Sequence, residues 1–107
     1  MCDSTLGADI DTPRKQFKTG QYAQCLESTR KAIEDGAYAA DWRILMIESL
    51  MALGRYEQAT EAMDRALGDY RWSIRLLKLG HTVYKRNGQA DRATDMLTRI
   101  FRIGKFS

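Results

Sequence analysis

The chain has 107 residues, 44% of them hydrophobic and 29% charged, with a formal net charge of +3, which is room for one domain with a core. Two cysteines and one histidine supply neither a disulfide framework nor a metal-ligand cluster, and no apolar run approaches the ~20 residues of a membrane span. The charge is uneven: residues 71–107 hold nine bases and two acids, residues 37–70 three bases and six acids, and residues 1–36 five bases and six acids. Such polarity bears on association and steering and does not set the fold.

In chain order, residues 1–11 predict a loose polar lead-in in which Leu6, Ala8 and Ile10 are the apolar side chains. Cys2 reads as an incidental terminal cysteine. The other reading is the lipidated cysteine of a mature bacterial lipoprotein; no signal peptide is present as written, and a cytoplasmic location is favoured. Thr12-Pro13 predicts a helix start, a hydroxyl cap followed by proline in the first turn, with a short helix to Lys18 or Thr19. A second helix is expected from Tyr22 to Glu34, with Tyr22, Cys25, Leu26, Thr29, Ala32 and Ile33 on one face and Gly36 closing it. A third is expected from Ala39 to Leu53. It carries two apolar stripes, Trp42, Leu45, Met46, Leu50 and Leu53 on one and Ile44, Ile47 and Met51 on the other, as a helix covered on two sides would. A fourth runs from Tyr56 to Leu67 and is expected to end at Gly68. A fifth runs from Tyr70 to Arg86, before the Asn87-Gly88 turn signal. A sixth runs from Gln89 to Ile103, closed by Gly104, and leaves residues 105–107 as a tail.

These helices share one period. Gly54, Tyr56, Ala59, Ala66 and Leu67 recur 34 residues earlier as Gly20, Tyr22, Cys25, Ala32 and Ile33, and 34 later as Gly88, Ala90, Ala93, Ile100 and Phe101. A fixed period over three copies is the signature of a helical repeat array. The frame resembles the tetratricopeptide repeat, a 34-residue helix–turn–helix unit. Gly54, Tyr56, Ala59, Ala66 and Leu67 stand in that family's places, and Met63 stands where the family prefers an aromatic. Ala37 and Arg71 occupy the places where the family often has proline. The resemblance implies an all-α, right-handed superhelical stack of about six helices: three repeats over about 12–36, 37–70 and 71–104, preceded by the lead-in at 1–11.

It also implies a concave face lined by the first helix of each pair, where members of the family bind peptides or partner proteins. The side chains expected there are Arg14, Phe17 and Lys18; Ile44, Glu48, Met51 and Ala52; and Arg75, Lys78, Thr82, Lys85 and Arg86. Arg75, Lys78, Thr82 and Lys85 share one helix face by spacing alone. The expected groove has an apolar floor near Ile44 and Met51 and basic walls, suited to an acidic segment, with a purely solvated basic face as the alternative. Some members grip a C-terminal carboxylate with lysine and asparagine. The corresponding places here hold Ile10, Arg14, Leu45, Arg75 and Leu79, so that mode is not expected.

The sixth helix leaves Met96, Ile100, Phe101, Ile103 and Phe106 available, and no capping helix follows. The chain is therefore expected to be a fragment of a longer protein or to self-associate there as a homodimer. No phosphate loop or nucleophile motif occurs. Glu57 and Glu61 read as an exposed polar face, and His81 as a packing or locally bonded residue. No enzyme, cofactor, metal site or small-molecule substrate is expected. Nucleic-acid or anionic-surface binding is the least favoured reading, since the tyrosines have structural places and form no stacking platform.

Overall fold

The computed structural model describes residues 9–106. Expectations that fall on Cys2, Leu6, Ala8, Ser107 and the Phe106 side chain lie outside the described residues. Six helices follow in order: α1 Asp11–Lys18, α2 Tyr22–Glu34, α3 Ala40–Ala52, α4 Tyr56–Asp69, α5 Ile74–Arg86 and α6 Ala90–Phe106. No strand occurs among the described residues, so the fold class is the expected all-α one. The helices fall into two compact units, Met1–Gly54 and Arg55–Ser107.

Helix closure follows the glycines. Gly20, Gly36, Gly54 and Gly88 have φ of 82°, 104°, 76° and 77°, a left-handed conformation that only a residue without Cβ adopts at little cost. At three of them the next amide reaches back to the last turn. Gln21 donates to the Gln16 carbonyl, Ala37 to Ala32 and Gln89 to Tyr84, each at 2.8 Å, which satisfies carbonyls the helix end would leave orphaned.

Four boundaries differ from expectation by more than one residue. Helix α1 begins at Asp11, so Thr12 lies inside the first turn and caps nothing; Pro13 is buried there, in a turn whose amides need no intrahelical acceptor. Helix α5 begins at Ile74 and not at Tyr70, because the Ser73 amide donates to the Tyr70 carbonyl at 3.1 Å and makes a tight turn. Ser73 then caps α5, its hydroxyl accepting from the Leu76 amide at 3.2 Å. Gly68 lies within α4 and Gly104 within α6. Neither has positive φ, so neither terminates its helix.

In the first unit α2 packs on α1 and α3, and α1 also meets α3. Cys25, Thr29 and Ser49 are all fully buried. Their polarity is tolerable because the hydroxyls turn back onto their own helices: Thr29 Oγ1 donates to the carbonyls of Cys25 and Leu26 at 2.9 and 3.0 Å, and Ser49 Oγ to Leu45 at 2.9 Å. Both stripes of α3 are buried, Trp42, Leu45 and Leu50 on one, Ile44 and Ile47 on the other.

In the second unit α5 packs against α4 and α6. Gly80 is the close crossing: a Cβ placed there would lie 2.9 Å from Met96 Sδ and 3.4 Å from Met63 Sδ. The two thioethers, one from α6 and one from α4, close over the bare backbone of α5. Unbranched, flexible methionine suits such a gap, which accounts for Met63 at a place where an aromatic was expected. The frame's small residues, Cys25, Ala59 and Ala93, are all buried.

Candidate peptide-binding face

Helix α5 carries no acidic residue. Its core side presents Leu76, Leu77, Gly80, Val83 and Tyr84, all buried, while Arg75, Lys78, Thr82, Lys85 and Arg86 are exposed. The split follows from the 3.6-residue period: the exposed set recurs at three, four and three residues, so packing the apolar face turns the cations outward together.

His81, Thr82, Lys85 and Arg86 line a surface recess of about 490 Å³. His81 closes one side, its Nδ1–H donating to the Ala93 carbonyl of α6 at 3.2 Å; a carbonyl can only accept, which places the proton on Nδ1. The bond is not local: it reaches twelve residues along the chain and ties the lone histidine to the next helix. Arg86 is held as well: its Cζ lies 5.8 Å from the centroid of the Tyr56 ring, and Nη1 donates to Tyr56 Oη at 3.4 Å. That cation–π and hydrogen-bond pairing leaves part of the guanidinium fork available to a carboxylate. Tyr56 and His81 were not among the expected groove residues. Tyr56 lies thirty positions before Arg86 in sequence, and no local pattern signals so distant a pairing.

The residues expected from the earlier helices lie in the first unit. Arg14 is committed within the protein, its Nη2 donating to Asp41 Oδ2 at 3.0 Å, with Asp11 Oδ1 3.7 Å from Nη1. Phe17 meets Tyr22 edge to face at 5.1 Å. Lys18 is exposed. Ile44 corrects the expected apolar floor: at 7% exposure it belongs to the core and has almost no surface to offer a ligand. Met51 and Glu48 are half-buried and Ala52 is exposed. Burial pushes the Cys25 thiol above its ordinary value; a hydrogen bond from Ser49 offsets part of this and the Glu48 charge adds to it. Cys25 is therefore an inert small core residue and not a nucleophile.

A second polar constellation joins three helices of the second unit. The buried Tyr84 hydroxyl donates to Asp64 Oδ1. Arg92 Nη2 donates to the same oxygen at 2.9 Å, and its Cζ stands 4.6 Å from the Tyr84 ring centroid. Burial, then the bonded carboxylate, pushes the phenol far above its ordinary range. All three groups satisfy one another, so this is a structural clasp and not an acid–base site.

On α6, Met96 is a correction: it is 2% exposed and sits over Gly80, so it is unavailable as interface. Ile100 and Ile103 are half-buried. Phe101 and Leu97 are 74% and 49% exposed and lie four residues apart, on one face. No group of three metal-ligating side chains occurs among the described residues, and no helix among them is long and apolar enough to cross a membrane.

No protein-family model matches the sequence, and no curated protein matches it significantly. Solved structures do. The chain is similar to PcrH, crystallised in complex with the chaperone binding region of PopB, with a TM-score of 0.86 at 15% identity, over 100% of this chain and 86% of that one. It is also similar to SycD, the Yersinia enterocolitica type III secretion translocator chaperone, in an alternative dimer, with a TM-score of 0.82 at 14% identity, over 95% of this chain and 77% of that one. At such identities the likeness is one of fold: the all-α architecture of this chain is that of these helical chaperones.

Proposed function

We propose that the chain is a non-catalytic protein-interaction module of three tetratricopeptide-like repeats, about 12–36, 37–70 and 71–104, that binds a peptide or partner protein along a partly basic concave face. One observation carries the reading: α5 exposes Arg75, Lys78, Thr82, Lys85 and Arg86 with no acid on the helix, and a recess of about 490 Å³ opens among the last of these. A neighbour of the same fold is crystallised with a bound segment of another protein, which supports the peptide class of ligand. The chemistry favours an acidic segment, with carboxylates on Lys78, Lys85 and Arg86. A cytoplasmic location accompanies this reading.

The test is fluorescence anisotropy with labelled peptides alternating glutamate and leucine. Reversing Lys78 and Lys85 to glutamate should weaken binding more than ~tenfold, since each reversal replaces an attraction with a repulsion, while circular dichroism stays unchanged. Equal affinity for the reversed variant removes the α5 face from the binding site.

A second reading rests on a separate observation, the exposure of Leu97 and Phe101 on one face of α6. In it α6 joins two copies of the chain. Phe101→Asp should then convert a dimer to a monomer in sedimentation equilibrium; a wild-type monomer at high concentration rejects this reading.

A further inference from the structure

The turn between α4 and α5 carries exposed apolar surface that the peptide-binding face does not use. The Ser73 amide donates to the Tyr70 carbonyl, so Arg71 and Trp72 occupy the two tip positions of a four-residue turn. Trp72 is 65% exposed, and Ile74, the first residue of α5, is 38% exposed. Arg71 and Arg75 flank them, both exposed, and Lys78 follows one turn later along α5. From 69 to 86 five basic residues stand against one acid, Asp69. The molecule thus presents an indole at a tight tip, backed by an aliphatic side chain and ringed by cations.

Exposing an indole forgoes the stabilisation that full burial of a large apolar side chain provides. The other tryptophan, Trp42, takes that gain, at 7% exposure. The size of the patch indicates what covers Trp72. A stable protein–protein interface needs ~800 Å² on each partner, far more than one indole and part of an isoleucine present. An anionic bilayer needs much less. Tryptophan favours the headgroup level, where its ring is apolar and its N–H remains wet, and each nearby arginine or lysine adds attraction to anionic headgroups.

We propose that the Arg71–Arg75 turn is a peripheral docking point for an anionic phospholipid surface, with the Trp72 ring entering the interface and Arg71 on the headgroups. Trp72 and Arg71 lie outside the peptide-binding face, while Arg75 and Lys78 border both surfaces. The contact is reversible and salt-sensitive, since one indole and a few cations fall far short of a hydrophobic anchor.

The two tryptophans supply the test. The whole chain is mixed with phosphatidylcholine vesicles, with and without phosphatidylserine, made from lipids brominated on the acyl chains, which quench only a fluorophore that reaches them. Wild-type emission should be quenched by the anionic vesicles, should recover at high salt and should be unaffected by the neutral ones. Trp72→Phe leaves the buried Trp42 as the only indole and should show no quenching. Arg71→Glu should lower partitioning, read by vesicle sedimentation, by roughly tenfold or more, with the glutamate–leucine peptide still bound as in the wild type. The proposal is overturned by a wild type that ignores anionic vesicles, by equal quenching with neutral ones, or by quenching that persists in Trp72→Phe.

Discussion

The two three-helix units solve one packing problem with different chemistry. In the first, α2 and α3 approach through Cys25, Thr29 and Ser49, small polar residues made harmless by hydrogen bonds within their own helices, and the polar tie from α1 to α3 is the half-exposed Arg14–Asp41 pair. In the second, α4 and α6 approach α5 through Gly80 under two methionines, and the polar tie is a buried phenol bonded to a carboxylate that also holds an arginine. A repeat frame specifies where small residues go. It leaves open whether the rest of the crossing is filled by hydroxyls or by thioethers, and whether its polar tie is an ion pair alone or one anchored on a buried phenol. The ion pair alone should be weak and the tie anchored on a buried phenol stronger.

The largest effect expected to separate the units is at the aromatics. Tyr84→Ala should cost ~3–5 kcal/mol in urea unfolding, because it opens a cavity at a fully buried ring and removes the phenol's bond to Asp64. Phe17→Ala, at a half-exposed ring, should cost under about 2 kcal/mol. Equal losses would remove the distinction.

Overpacking probes the crossings themselves. Gly80→Leu and Cys25→Leu should each destabilise by roughly 1–3 kcal/mol, seen as a drop of several degrees in the melting temperature. Gly80→Ala should be nearly neutral: displacing Met96 costs something, and alanine regains about 1 kcal/mol of helix propensity. A large loss for Gly80→Ala would mean the methionines cannot yield.

The phenol-anchored tie has a pH signature. Tyr84→Phe should cost about 1–2 kcal/mol at neutral pH through loss of the bond to Asp64. Because burial and Asp64 raise the Tyr84 pKa above its ordinary 10.0, the unfolded chain releases this proton first. The folded state holds more protons in that range, so stability is complete below pH 10 and falls as pH rises beyond it. Cys25, also raised, from 9.0, adds a fall of the same sign beginning near pH 9. Denaturant midpoints across alkaline pH should decline in the wild type and decline less steeply above pH 10 in Tyr84→Phe, where the Tyr84 contribution is gone. An unchanged slope in that variant would show that the phenol ionises freely.

The smallest effect should come from the Arg14–Asp41 pair. Arg14 and Asp41 side chains are 42% and 36% exposed, and a screened pair of this kind is worth under about 1 kcal/mol. Arg14→Ala should shift stability little, and the shift should vanish at high salt.

The sequence by itself determined the all-α class, the existence of six helices, α2 to the residue, the closures at Gly20, Gly36, Gly54 and Gly88, and the burial of Cys25, Ala59 and Ala93. These are local matters: a 3.6-residue apolar period, a backbone that must turn left-handed, and a fixed 34-residue spacing are all written in neighbouring residues. Tertiary structure decided the rest. Gly68 and Gly104 stayed helical, as glycine permits a left-handed end without requiring one. Ile44 and Met96 were buried because periodicity shows that a face is apolar and not whether a neighbour covers it. Asp64, Tyr84 and Arg92 lie on three helices, twenty and twenty-eight positions from the shared carboxylate, and only folding brings them together. The same holds for Tyr56 against Arg86, and for Trp72, which the Tyr70–Ser73 hydrogen bond sets at a turn tip where sequence periodicity predicts helix.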